Sequence, residues 1–385
     1  MSNRSRRVLI DGRALLDRNG GGVFEYARRL TAALKESGRY AIETWANAAL
    51  PPKADLVAPV AGIDTLTRYP NKLLNASMRL FKTPHLERFA SEPPTLCWMP
   101  NPHFVALSPS LPLALTIHDL TFETYPEFFS LKQRLWHRAV APRNLARRAN
   151  VVLAVSETTK RDLVDRWRLP PEKIVVTHEG VASDFFDTPP QDALRQARER
   201  WRLPERFILH VGALEPRKNH LGLLDAYHQL RPQARYAGLG LVLAGPSGWN
   251  NAAILQAIRR SPYRDDIRLL GYVNDLDRRC LYRLASLLAF PSFYEGFGLP
   301  PLEAMASGLP VVASHAGALS EIMETAGLLT DPYRPTEIAA AIDAILDSPS
   351  LAERYVARGR DRATLFRWSA CAEKTEGAFD IIAGT

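Results

Sequence analysis

Short, uninterrupted apolar runs alternate with stretches of helical period almost from one end of this chain to the other. The runs are Val8–Ile10, Leu113–Ile117, Val151–Val155 and Ile174–Thr177, then Phe207–Val211, Leu241–Ala244, Ile267–Leu270, Leu287–Phe290 and Val311–Ala313. Most lack the polar alternation of a half-solvated sheet, as expected for parallel strands covered on both faces. Between them lie the helical patterns Val23–Glu36, Glu157–Trp167, Leu221–Leu230, Asn251–Arg260, Asp275–Ala285 and Ile338–Leu346. Such alternation confines the chain to the doubly wound α/β class, and 385 residues call for two cores rather than one. Asp184–Gln191, with its Pro189-Pro190 pair, breaks the pattern before Phe207-Ile208-Leu209-His210-Val211-Gly212 restarts it as a new first strand. The expectation is therefore two Rossmann-like domains, residues 1–187 and 188–364, with a ligand cleft between them. Residues 365–385 are expected to form a terminal helix that packs back on the first domain.

Ligands of open α/β sheets lie beyond the carboxyl ends of the strands, so the loops that follow each run are the ones to read. After Phe207–Val211 comes Gly212-Ala213-Leu214-Glu215-Pro216-Arg217-Lys218-Asn219-His220, which sets Arg217 and Lys218 just before a helix. A helix N-terminus already favours an anion, and two cations there suit a diphosphate; they read otherwise as ordinary loop charges. After Leu287–Phe290 comes Pro291-Ser292-Phe293-Tyr294-Glu295-Gly296-Phe297-Gly298-Leu299-Pro300-Pro301-Leu302-Glu303. Gly296 and Gly298 permit close backbone approach to a ligand, and the prolines start a helix well. Glu295 sits in the loop and Glu303 in the helix that follows, seven residues between them, so both carboxylates can reach one crevice. Glu303 could equally be an acid placed favourably near a helix N-terminus.

In the first domain Gly20, Gly21 and Gly22 open the first long helix. They do not spell GxGxxG, so the dinucleotide fingerprint and a dehydrogenase are disfavoured; a donor-rich anion site and a flexible loop both fit. His118 ends the run Leu113–Ile117, Ser156 reads as a helix N-cap, and His178-Glu179-Gly180-Val181 closes the domain's last strand. Asp275-Leu276-Asp277 has the form of a metal-binding DxD but opens a helix behind Asn274, a good cap, and is read as helix-start acids. With no His/Cys cluster either, no metal site is expected.

Three separated cysteines (Cys97, Cys280, Cys371) argue against a disulfide framework. No apolar run reaches the roughly 18–20 residues of a membrane span, and the N-terminal apolar run is too short for a secretory signal. A cytoplasmic protein is expected. The net charge of +8 raises the question of an anionic partner, and Lys132, Arg134, Arg138, Arg143, Arg147 and Arg148 fall within Leu131–Asn150 with Trp136 and without an acid. That stretch is either a solvated helix face or a contact with the anionic inner face of the membrane. No nucleic-acid motif accompanies it, so nucleic acid is not expected as a partner.

Taken together, these loops resemble the retaining GT-B glycosyltransferases of family 4 over nearly the whole chain. Glu295…Glu303 resembles that family's E-x7-E motif, and Gly20–Gly22, His118, Ala154-Val155-Ser156-Glu157, Gly212–Lys218 and Pro310–Glu321 follow in the expected order. The resemblance implies a nucleotide-sugar donor as co-substrate and no other cofactor. It places Glu295, with the backbone of Gly296, Phe297 and Gly298, at the donor sugar, and Glu303 at the ribose. Lys218 with Arg217 would neutralise the diphosphate, and His118 would meet the sugar from the opposite domain. One departure is Ala213, where family members often carry an Arg. The segments Ile117-His118-Asp119-Leu120, Glu215–Asn219 and Gly296–Pro301 look most like mannosyltransferases of bacterial surface-polysaccharide synthesis. That implies GDP-mannose, or a related GDP-hexose such as GDP-rhamnose, and a saccharide or lipid-linked acceptor; UDP-sugars stay open. A GT-B sugar-nucleotide epimerase and a non-catalytic nucleotide-sugar-binding protein are the alternatives.

Overall fold

The computed structural model describes residues 6–16, 21–48 and 62–383. Two sheets organise it, and every strand pairing is parallel. The first holds seven strands, β1 (Arg7–Asp11), β2 (Ala41–Asn47), β3 (Thr65–Thr67), β4 (Leu96–Met99), β5 (Leu113–Ile117), β6 (Val151–Ala154) and β7 (Ile174–Val176). Its order is β3-β2-β1-β4-β5-β6-β7. Six more, β8 (Phe207–Val211), β9 (Gly240–Ala244), β10 (Ile267–Gly271), β11 (Leu287–Phe290), β12 (Val311–Ser314) and β13 (Leu328–Thr330), make the second sheet. Their order is β10-β9-β8-β11-β12-β13. In each sheet the strand order reverses beside the first strand, between β1 and β4 and between β8 and β11. Those switch points are where the carboxyl-end loops diverge and leave room for a ligand.

The apolar runs became strands because helices bury both of their faces. β5, β6, β8, β9, β11 and β12 are buried at every residue. The helices His220–Leu230 and Pro335–Asp347 bring Leu223, Tyr227, Ile338 and Ile342 onto Ile208, Leu241, Leu287 and Ala289. Each such large side chain contributes about 1.5–3 kcal/mol on burial. β10, at the sheet edge, is buried only at Ile267.

Four strands escape the apolar pattern. β2 contains Glu43, Thr44 and Asn47, all buried. Glu43 accepts from the Ser91 amide and hydroxyl at 2.8 Å each. The Asn47 amide donates to the Tyr69 carbonyl at 2.9 Å and accepts from Thr67 Oγ1 at 2.9 Å. Satisfied in this way, Glu43 and Asn47 sit in a covered strand without penalty, while Thr44 Oγ1 is buried there without a hydrogen-bond partner among the described residues. β3, β4 and β13 have only three or four residues each.

Two compact units result. Residues 1–120, 132–180 and 368–385 form one, and residues 121–131 and 181–367 the other. The break after Gly180 precedes the expected one after Asp187, and Thr121–Leu131 belongs to the second unit although it lies within the first in sequence. The last helix, Trp368–Ala383, packs in the first unit through Cys371, Ala372, Thr375, Ala378, Phe379 and Ile382. Phe379 is fully buried with its ring edge-on to Tyr40 at 5.7 Å and near Trp98 at 6.3 Å. Asp380 accepts from the Tyr40 hydroxyl at 2.6 Å and the Arg6 guanidinium at 2.7 Å. Phe379→Ala should therefore destabilise the first unit by about 3–5 kcal/mol. Urea unfolding should show an earlier transition for that unit, and an unchanged midpoint would mean the helix is not part of its core.

Candidate active site

Lys218 ends a single 3-10 turn, Pro216–Lys218, in the loop that leaves β8. The next residue, Asn219, holds a left-handed backbone (φ 56°) that Asn tolerates better than most residues. Its side chain accepts from the Gly222 N–H at 3.2 Å and so caps the helix His220–Leu230. Its amide donates to the carbonyls of Pro291 at 3.0 Å and Pro332 at 2.7 Å. Asn219 thereby fixes the loop after β8 against the loop after β11.

That contact brings Arg217 and Lys218 to Glu295. Lys218 Nζ donates to Glu295 Oε1 at 2.7 Å, and Arg217 Nη1 to Glu295 Oε2 at 2.8 Å. Arg217 also pairs with Glu215 at 2.9 Å and donates to the Tyr294 carbonyl at 3.0 Å. Glu215, Lys218 and Glu295 are each more than nine-tenths buried. Two cations and two carboxylates thus alternate, Glu215–Arg217–Glu295–Lys218, and balance one another. Burial alone would raise the Glu295 carboxyl, but the charges of Arg217 and Lys218 outweigh it and draw the pKa down to about 2. Burial pulls the Lys218 ammonium down, against the attraction of Glu295. Beneath Lys218, whose Nζ lies 4.9 Å from the centre of the Phe290 ring, the buried His210 is kept uncharged, with a pKa of about 4, chiefly by burial. The His210 and His220 rings lie 4.5 Å apart, and burial lowers His220 as well.

The backbone at Glu295 is held from behind. Its carbonyl accepts from the Ala318 N–H at 2.9 Å. Gly317 has φ 64°, and a Cβ on it would fall 2.3 Å from that carbonyl oxygen, so only glycine fits. Gly296 and Phe297 are buried; the Phe297 ring meets Phe366 edge-on at 5.8 Å. Gly298 (φ 119°) precedes the helix Leu299–Ala306, whose first turn no side chain caps. Glu303 lies within that helix, buried, where it accepts from the Tyr282 hydroxyl at 2.9 Å and pairs with Arg278 at 3.1 Å. Burial and the Glu303 charge push the Tyr282 hydroxyl well above its usual range.

The first unit contributes its own carboxyl-end residues. His118 follows β5; its Nε2–H donates to the Pro100 carbonyl at 2.9 Å and its Nδ1 lies 3.5 Å from the buried Glu179. The Tyr26 ring packs edge-on against it at 4.8 Å. Gly21 and Gly22 are exposed at the start of the helix Gly22–Ser37, which has no side-chain cap, so its first N–H groups are not taken up by a capping side chain. Gly20 lies outside the described residues. Ser156 caps its helix by accepting from the Thr159 N–H at 3.0 Å. Asn274 likewise accepts from the Asp277 N–H at 2.9 Å, while Asp275 pairs with Arg278 at 3.2 Å and Asp277 with Arg200 at 3.4 Å.

Several residues beside these were not singled out from the sequence. Arg13, just past β1, clasps the buried Asp11 (Nε to Oδ1 2.8 Å) and donates to the Phe104 carbonyl at 2.8 Å. Glu215, Arg278 and Tyr282 are the others. Their only sequence signal is position at a strand's carboxyl end or, for Arg278 and Tyr282, spacing of four residues on one helix face.

Two all-parallel sheets, each with a switch point at the carboxyl ends of its strands, are the architecture of the GT-B fold. Residues 20–185 match the profile of glycosyltransferase family 4 and residues 193–362 that of glycosyl transferases group 1. The chain is 35% identical to the O-antigen chain mannosyltransferase B of Escherichia coli, over 69% of this chain and 70% of that protein. It is 27% identical to the serotype-specific mannosyltransferase WbdA of Escherichia coli over 58% of this chain, a match spanning 28% of WbdA. HepE of Anabaena, solved in complex with UDP and glucose, shares the fold at TM-score 0.75 and 20% identity, covering 98% of this chain and 100% of HepE. The chain belongs to glycosyltransferase family 4.

The geometry of Glu295 predicts how its removal depends on pH. A carboxylate whose folded pKa is depressed stabilises the fold fully above its ordinary pKa of about 4.5, and that contribution fades as pH falls toward about 2. Glu295→Gln leaves the buried Lys218 and the half-buried Arg217 short of a partner, which should lower stability by about 3–5 kcal/mol at neutral pH. The difference in melting temperature from the parent should be level above pH ~4.5 and shrink below it. A difference that grows on acidification would contradict the assignment.

Proposed function

We propose that this glycosyltransferase transfers mannose from GDP-mannose, with retention of configuration, to a saccharide or lipid-linked acceptor of surface polysaccharide. The reading includes action in the cytoplasm at the inner face of the membrane. The observation that carries it is Glu295 held between Arg217 and Lys218 at the switch point of the second sheet. Support for mannose comes from the likeness to O-antigen chain mannosyltransferase B. UDP is a second reading, favoured by the shared fold of HepE with UDP and glucose. The two bases can be told apart by thermal shift with GDP, UDP and their sugars, since a selective ligand stabilises the fold by mass action.

The chemistry follows from the ion cluster. A donor diphosphate is a stronger anion than one carboxylate and would take Glu295's place on Lys218 and Arg217. Glu295 is then free to meet the sugar, whose anomeric carbon becomes cationic as the bond to phosphate lengthens. Lys218 and Arg217 neutralise the charge that grows on the departing GDP, and already stand in place before it forms. Glu303, braced by Arg278 and Tyr282, would take the ribose hydroxyls. His118, oriented by Pro100 and Glu179, would meet the sugar.

Roles so divided predict different kinetics. Lys218→Ala should lower kcat by about 100-fold or more, as when one charge-stabilising donor is lost. Glu303→Ala should mainly raise the donor KM, because ribose binding is the same in ground and transition states. Glu295→Ala should nearly abolish turnover. Steady-state kinetics decide: loss of kcat at normal KM in Glu303→Ala, or an active Glu295→Ala, would overturn these roles.

Metal independence is part of the proposal. It is supported by the Arg partners of Asp275 and Asp277 and by Lys218 as the diphosphate's counter-charge. Transfer should survive excess EDTA, and Asp277→Ala should keep most activity. Complete loss with chelator, restored by manganese or magnesium, would refute it.

A further inference from the structure

The helix Asn71–Leu80 carries two apolar stripes where a surface helix needs one. Leu74 and Met78, four residues apart, are buried in the first unit. On another face Leu73 and Leu80 are 69% and 68% exposed, with Ala76 between them at helical spacing, and Phe81 just beyond is 74% exposed. Three large apolar side chains this open and this close together are the kind of patch that marks an interaction site.

The charge within the segment that carries the ridge is all of one sign. Between Asp64 and Glu87 the sequence contains no acid, while Arg68, Lys72, Arg79 and Lys82 border the apolar stripe. Lys72 and Lys82 are exposed, and the Arg79 guanidinium donates to the Ala139 carbonyl, tying this helix to Leu131–Val140. Leu131–Val140 in turn exposes Leu135, 53% open, with Lys132, Arg134 and Arg138. An apolar ridge rimmed by cations is suited to lying in an anionic lipid interface.

The structure also changes which residues of Leu131–Asn150 can take part. Trp136, the aromatic of that stretch, is half-buried, its ring 5.8 Å from His103 and 6.2 Å from Phe104. Arg148 donates to the Ser108 carbonyl at 2.9 Å and Arg143 to the Trp167 carbonyl at 3.4 Å. The apolar anchor is supplied instead by Leu73, Leu80 and Phe81.

We infer that the Asn71–Lys82 ridge, joined through Arg79 to the helix Leu131–Val140, docks this enzyme on an anionic lipid surface. The inference deepens the proposed action at the membrane by naming the surface, and it stands on exposure and charge rather than on the chemistry of transfer. Cosedimentation with phosphatidylcholine vesicles, with and without phosphatidylglycerol, tests it. The protein should bind only the anionic vesicles, less at high salt, with each cation near the surface worth about fivefold in affinity. Leu73→Ser/Leu80→Ser/Phe81→Ser should release it, and Lys72→Glu/Lys82→Glu should weaken it by about tenfold or more. Both variants should keep the parent melting temperature and its transfer to a water-soluble acceptor, so failure of docking and failure of the transferase reading are separable. No binding, equal binding to neutral vesicles, or full binding by the triple variant would overturn the inference. So would a self-associating parent that becomes monomeric in the triple variant, which would make the ridge a contact between copies.

Discussion

A single buried carboxylate, Glu295, holds the second unit's switch point together. Two cations from the loop after β8 converge on it from β8's own side of the sheet, and Glu215 closes the chain of charges. Buried ions of this kind contribute little net stability beyond what an apolar core would give, while loss of one partner is strongly destabilising. On the proposed function, such a cluster is a device kept for binding. It preserves two cations, dry and oriented, at the spot where the fold leaves space for a ligand. Its neutrality is equally informative, because an incoming anion need not fill an unbalanced hole and can instead exchange with a carboxylate already there.

The surrounding architecture suits the proposed exchange. Asn219 ties its loop to the loop after β11 through the Pro291 carbonyl and to the segment after β13 through the Pro332 carbonyl, while capping its own helix, and so holds Lys218 close to Glu295. Gly317 lets the next loop press on the Glu295 backbone from behind. The uncharged His210 and His220 add no competing positive charge beneath Lys218. Rigid positioning of this kind lets electrostatic stabilisation act without reorganisation during the reaction.

Much of this was legible in the residues. Parallel strands buried on both faces announce themselves as continuous apolar runs, so β5, β8 and β11 stood out, and with them the loops that carry His118, Lys218 and Glu295. β2 did not, because its buried Glu43, Thr44 and Asn47 read as loop; a partner as distant as Ser91, 48 residues on from Glu43, makes that carboxylate acceptable there. Residues that act through another were invisible for the same reason. Arg278 and Tyr282 gain meaning only once Glu303 lies against their helix, and Glu215 only once Arg217 turns toward it. Trp136 shows how little one aromatic in a basic stretch decides from sequence: a solvated face and a lipid contact both fit, and in the fold its half-buried ring lies beside His103 and Phe104.

Calorimetric titration of free GDP into the parent chain and into Glu295→Ala tests the exchange of counter-ions most directly. If Glu295 occupies the place of the diphosphate, removing it takes away a competitor, and the variant should bind GDP as tightly as the parent or more tightly. Lys218→Ala should bind it more weakly. If Glu295→Ala loses GDP affinity while Lys218→Ala keeps it, the cluster is not the diphosphate site.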